Sequence, residues 1–217
     1  ASRRACSVLG SSIRSELTLA EMAIEISRAG PERVQRLVDV LARSFADDPI
    51  IRWPFPTDGN HEEQCRELFR ILDEPIAETG WLWEAGDAAG VALWIPPDGE
   101  ARFLEIELES RDAIDAMTED DGIRYRAFWD WIEDHLPGDP SWFLDHLAVA
   151  SEHRGEGIGR ALVDLGLGFA RRDGVPAFLD TARPGNVGYY ERLGFRVVAD
   201  EHAPGGGPRL WFMRFDP

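Results

Sequence analysis

Residues 153–162 read HRGEGIGRAL. Gly155, Gly157 and Gly159 alternate with Glu156 and Ile158, Arg154 and Arg160 flank them, and an apolar periodic run begins at once. Glycine adopts φ > 0 freely and lets the main chain come close to a ligand. The first N–H groups of a helix have no partners within it, and the helix dipole adds partial positive charge there. A glycine turn ahead of a helix, carrying two guanidinium groups, is therefore chemistry for a phosphate or pyrophosphate. A merely flexible turn is the competing reading. No Gly-Lys-Ser/Thr follows, so this is not a Walker loop, and GEGIGR lacks the G-x-G-x-x-G spacing of a dinucleotide fingerprint.

The elements that must position these residues can be read from periodicity and breakers. MAIEISR (22–28) alternates like an opening strand. Pro31 starts a helix with Val34, Leu37, Val38, Leu41 and Phe45 on one face. Pro49, Pro54 and Pro56 break it, and a second helix covers about residues 61–79. Residues 80–99 read as two strands joined by a glycine-containing turn. Two helices follow, at about 100–117 and 121–136. Residues 141–150 form an apolar strand, on which alternation sends Asp145 and His146 to opposite faces. The glycine turn leads into a helix reaching about Arg172, with Ile158, Leu162, Leu165 and Phe169 on one stripe. VPAFLDTA (175–182) is a buried strand. A short helix is expected from Asn186 as N-cap to Gly194, and two strands close the chain. This order describes one α/β domain over residues 21–217 with a mixed sheet, behind a tail at residues 1–20.

Composition narrows the partners. The chain has 217 residues and a net charge of −17. Its bases are all arginine. Such acidity argues against nucleic acid and favours a cationic small molecule or peptide, although solubility alone is a competing explanation. No apolar run reaches the ~18 residues of a membrane span. Cys6 and Cys65 form no disulfide framework and no metal-ligand spacing, which fits a reducing cytoplasm. Residues 96–137 hold 13 acids against 4 arginines and are rich in aromatics. They are either an amphipathic pair packed inward or a wall for the substrate.

With Arg154 included, RGEGIG satisfies the Q/R-x-x-G-x-G/A pattern and resembles the pyrophosphate grip of the GCN5-related N-acetyltransferase (GNAT) superfamily. LDHLAVASEH ahead of it and NVGYYERLGFRV after it also resemble that superfamily. The pattern over residues 30–217 is most similar to the puromycin N-acetyltransferases and their actinobacterial relatives, strongly from 141 onward and loosely across 98–136.

The resemblance implies a mostly antiparallel central sheet that splays at the acetyl-CoA site, helices on both faces, and a helical insertion before the central strand. It implies that Leu147, Ala148 and Val149 meet the pantetheine arm of acetyl-CoA and that a backbone N–H among them stabilises the developing oxyanion. Arg154, Gly155, Gly157, Ile158, Gly159 and Arg160 would hold the pyrophosphate, and Asn186 would contact the arm. Tyr190, selected over Tyr189 by its spacing to Leu193-Gly194-Phe195, would protonate the departing sulfur. Either tyrosine could instead be a core aromatic. Asp145 would be the base, with a structural role as the alternative. The implied reaction is direct attack of a primary amine on the acetyl thioester, with no metal. The acceptor would be a small cationic molecule of the aminonucleoside or antibiotic-like kind, with Trp81, Trp83 and Trp94 able to stack on it. A peptide amine acceptor, a non-catalytic acyl-CoA sensor and a homodimer all stay open.

Overall fold

The computed structural model describes residues 24–55 and 59–217. Strand β1 (Ile26–Arg28) is followed by helices α1 (Val34–Phe45), α2 (Pro49–Arg52) and α3 (His61–Ile76), then strands β2 (Leu82–Ala85) and β3 (Gly90–Ile95). Next come α4 (Glu100–Asp115), α5 (Ile123–Glu133), β4 (Trp142–Val149), α6 (Ile158–Asp173), β5 (Ala177–Thr181) and α7 (Pro184–Glu191). Strands β6 (Arg196–His202) and β7 (Arg209–Phe215) end the chain. The opening strand is shorter than its alternation suggests, and residues 1–20, with Cys6, lie outside the described residues.

The strands form one sheet in the order β1-β2-β3-β4-β5-β7-β6. Every pairing is antiparallel except β4 with β5. The sheet has a core on each face, and both are needed to fix β4. On one side α1, α3 and α4 bury Leu37, Leu41, Leu68, Ile76 and Ile106. On the other, α6 and α7 bury Leu162, Leu167 and Tyr190 against Trp94, Leu144 and Met213. Helix α6 can approach this closely because Gly166 has no side chain: a Cβ there would lie 2.0 Å from the Trp94 ring. The buried Trp94 Nε1–H donates to the Leu162 carbonyl at 3.1 Å, so the contact leaves no orphaned donor.

The short helix differs from its expected form. It begins at Pro184, whose fixed φ suits a first helical position, and the residue before it is Arg183. Asn186 is therefore not the N-cap. It lies inside the first turn, and its Nδ2 donates to Thr181 Oγ1 at 3.2 Å. The helix stops at Glu191, and Gly194, at φ +99, turns the chain into β6 beneath the Phe215 ring.

Candidate functional site

Strand β4 organises the site through two irregularities. The first is a β-bulge. Leu93 lies opposite His146 and Trp94 opposite Leu144, which leaves Asp145 as an extra residue on β4. A bulge re-aims the side chains beside it. Phe143 packs with the α1–α3–α4 core, and Leu144 with the α6 core. Beyond the bulge the parity reverses: Leu147 and Val149 pack toward α6, and Ala148 toward α1 and α3. Asp145 and His146 thus share one face, contrary to simple alternation. Both line the same chamber.

The second irregularity is a splay. The β4–β5 ladder pairs Trp142 with Ala177, Phe143 with Phe178 and Leu144 with Leu179, and then ends. Past it β4 stays paired to β3 through Val149, and β5 stays paired to β7 through Thr181. The backbone edge of β4 around Leu147, Ala148 and Val149 is left without a β5 partner. Asp145 and Asp180 flank the opening.

On the α3 side of this opening lies a chamber of about 60 Å³, joined by the shared residues Phe103, Glu107, Trp129 and Asp145 to an outer cleft of about 410 Å³. Asp73, Glu107, Asp145 and Asp180 line the chamber with His146 as the one basic side chain. None of the four carboxylates is ion-paired to an arginine among the described residues. Burial, then the charges of Asp145 and Glu133, push Glu107 up to about 8. Burial, then Asp145 and Asp48, push Asp180 up to about 7. Burial, partly opposed by His146, raises Asp73 to about 6. Glu107 and Asp180 form no ion pair among the described residues, and a cation in the chamber would supply the missing charge.

Three of these carboxylates were not among the residues singled out by spacing. Asp73, Glu107 and Asp180 come from α3, α4 and β5 and carry no local motif. Of the aromatics expected to stack on an acceptor, Trp81, Trp83 and Trp94 line neither space; Trp83 packs on Phe169 and Trp94 is buried under α6. The insertion divides its rings instead. Phe128 and Trp131 pack inward, near Phe212. Phe103, Tyr125 and Trp129 line the chamber. The insertion's rings are thus divided between inward packing and the lining of the chamber.

At the other end of β4, Gly155 and Gly157 take φ of +88 and +86, and open space surrounds Gly155 where a Cβ would stand. Gly157 precedes α6 without any side-chain cap, so the N–H groups of Ile158, Gly159 and Arg160 have no capping side chain. The Ile158 side chain is buried and presents only its backbone to the loop. Arg154 is exposed, while Arg160 turns to Asp164 at 3.1 Å. These features fit an anion such as a pyrophosphate, for which the loop offers donors and room.

The two tyrosines of α7 face different surroundings. Tyr190 is buried, and its hydroxyl is pushed up first by burial, then by Tyr189, Asp180 and Asp48. It thus feels the carboxylate at the splay. Tyr189 is raised by burial and by Asp164, with Arg160 and Arg192 opposing. Its hydroxyl is buried without a hydrogen-bond partner, and a Cβ at Gly159 would lie 3.3 Å from it.

A seven-stranded, mostly antiparallel sheet, splayed beside a glycine turn at a helix start, matches the GNAT fold. The model of the acetyltransferase (GNAT) family matches residues 45–195, and the chain belongs to that family. It is an N-acetyltransferase, and the family uses acetyl-CoA and acts on amine acceptors. An uncharacterized N-acetyltransferase of Schizosaccharomyces pombe is 26% identical over 187 residues, covering 71% of this chain and 67% of that protein. The crystal structure of histone acetyltransferase HPA2 and related acetyltransferase from Corynebacterium glutamicum matches with a TM-score of 0.64 at 24% identity, over 90% of this chain and 97% of that one. Mosquito arylalkylamine N-acetyltransferase like 5b matches with a TM-score of 0.57 at 15% identity, over 90% and 100%. Both structures speak to the fold. Among the described residues no helix is long and apolar enough to cross a membrane.

Proposed function

We propose that the enzyme transfers the acetyl group of acetyl-CoA to a primary amine of a small cationic molecule. The observation that carries this reading is the chamber at the splay, where carboxylates without arginine partners stand among aromatic walls. Such a lining attracts an ammonium and stacks on flat or extended apolar groups. The arylalkylamine enzyme named above acts, by its name, on that kind of molecule, and the likeness of residues 141–217 to the puromycin N-acetyltransferases adds an aminonucleoside or another antibiotic-like amine to the candidates. A peptide amine is the second reading within the class, favoured by the outer cleft of about 410 Å³.

Acetyl-CoA supplies the activated thioester. The backbone N–H groups of Gly155 to Arg160, with Arg154, hold its pyrophosphate, and the free edge at Leu147, Ala148 and Val149 pairs with its arm, close to Asn186. A β4 N–H polarises the thioester carbonyl. Asp145 takes a proton from the ammonium, which frees the nitrogen lone pair for attack. Tyr190, kept protonated by burial, gives its hydroxyl proton to the sulfur and recovers one from the acylated nitrogen. The balance is one amide formed, one thioester C–S bond broken and one proton released.

The test is release of free thiol from acetyl-CoA against a panel of arylalkylamines, aliphatic amines, aminonucleosides and short peptides. Small cationic amines should accelerate it far above hydrolysis. A preference for peptides would move the assignment to a peptide acetyltransferase. Binding of acetyl-CoA without amine-dependent release would make the chain a sensor.

A further inference from the structure

Behind Asp145 lies a pair of groups that the proposed mechanism does not use. His146 Nδ1 is 2.9 Å from Asp145 Oδ2. On the other side of the ring, Nε2 is 3.5 Å from Asp73 Oδ2 of α3. Phe69 meets the imidazole edge-on, with ring centroids 5.4 Å apart. The His146 and Asp73 side chains are 5% and 1% exposed, and both Asp73 oxygens are buried without a hydrogen bond. Burying an unpaired carboxylate costs several kcal/mol, so a charge partner is the physical expectation. The chamber offers Asp73 a single basic group, His146.

We propose that Asp73 is a positioning residue acting through His146: it holds the imidazole charged, so that the Nδ1 proton stays on one oxygen of Asp145 and the other oxygen is presented to the acceptor ammonium. The inference rests on Asp145 being the base. The bulge is what makes the arrangement possible, because without it Asp145 and His146 would lie on opposite faces. His146 is contacted by Asp145 on its own strand and by Asp73 from α3, and the other titratable groups lining the chamber with it are Glu107 from α4, Tyr125 from α5 and Asp180 from β5. Burial alone would lower His146, but the Asp73 charge and the Asp145 hydrogen bond outweigh it and raise it. The order carboxylate, imidazole, reacting group is the logic by which a buried acid orients a histidine in hydrolytic triads. Here the imidazole orients a carboxylate.

The experiment follows the His146 ring by NMR across pH, beside the pH profile of kcat with a responsive amine. In the wild type the imidazole should titrate above its ordinary value, and kcat should fall as that proton is lost. Asp73→Asn keeps the shape and can donate to Nε2 while removing the charge. The imidazole should then titrate at least tenfold more readily, the alkaline limb of kcat should move down with it, and KM for acetyl-CoA should stay unchanged. Asp73→Leu removes both effects and should lower kcat by about 10–100-fold, the usual cost of losing an outer partner of a working group. The proposal is overturned if the imidazole moves while the limb stays, or if Asp73→Leu turns over like the wild type. Should the Asp73 variants fail to fold, a wild-type imidazole titrating below its ordinary value would overturn it equally. Asp145→Asn separates the two layers: undiminished turnover would remove the base assignment on its own, leaving the His146 titration to judge the pairing with Asp73.

Discussion

Gly155 and Gly157 hold φ of +88 and +86 where the loop is open, and the useful groups there are backbone N–H donors at the start of α6. At the other end of β4, Asp73, Glu107, Asp145 and Asp180 arrive from α3, α4, β4 and β5, and the useful groups are side chains. The two regions share a strand but differ in material. The turn offers main-chain donors, placed by the left-handed backbone of its glycines. The chamber offers charges held in poor solvation, where each ionisation depends on its neighbours. A donor common to a family suits the first arrangement, and an acceptor particular to one enzyme suits the second.

Gly157→Asp should give the largest effect. It forces an L-residue into the left-handed region, at roughly 1–2 kcal/mol. It also sets a carboxylate against the expected phosphates, a like-charge contact worth several kcal/mol at an effective dielectric of about 20. KM for acetyl-CoA should rise by about 100-fold or more, with KM for the amine little changed. Unchanged acetyl-CoA affinity in a folded variant would remove the distinction between the two ends of β4.

Tyr190→Phe comes next. Proton-transfer groups contribute roughly 10²–10⁴-fold, and the low end applies here because a thiol of pKa near ~8.5 leaves readily without help. Turnover should fall about 100-fold where chemistry limits the rate, with acetyl-CoA affinity intact. Tyr189→Phe should leave turnover nearly as it was. It should not lower Tm, because it deletes a buried hydroxyl that has no partner. Loss of turnover in Tyr189→Phe instead would shift the acid by one residue.

The smallest effect is on stability and is confined to the acceptor side. Burial raises Glu107 from its ordinary carboxylate range to about 8. Between those values the folded protein keeps a proton that the unfolded chain has released. Its contribution therefore falls as pH rises through the window. Asp180, raised to about 7, acts in the same direction. Glu107→Gln should match the wild type below about pH 4 and exceed it at pH 8 by at least about 1 kcal/mol, roughly 2–4 °C or more for a chain of this size. Thermal melts at the two pH values check this. A saturating cationic amine should shrink the gap by stabilising the ionised carboxylate.

By itself the sequence determined the element order, the mixed α/β sheet and the helix start at the glycine turn, while Asp145 and Tyr190 were candidates by resemblance to the family. These are local properties. Glycine spacing, a 3.6-residue apolar stripe and proline breakers act over a few residues and are written consecutively in the chain. The tertiary structure decided the rest. The bulge that sends His146 to the side of Asp145 is a feature of the pairing between β3 and β4, and nothing in DHLAV announces it. The helix at 184–191 starts at its proline, so Asn186 serves Thr181 rather than a cap. Asp73, Glu107 and Asp180 are separated by tens of residues and look like ordinary surface acids until three layers of packing bury them around one space. A charge becomes functional when its solvent is taken away, and which charges lose their solvent is settled only when the helices close over the sheet.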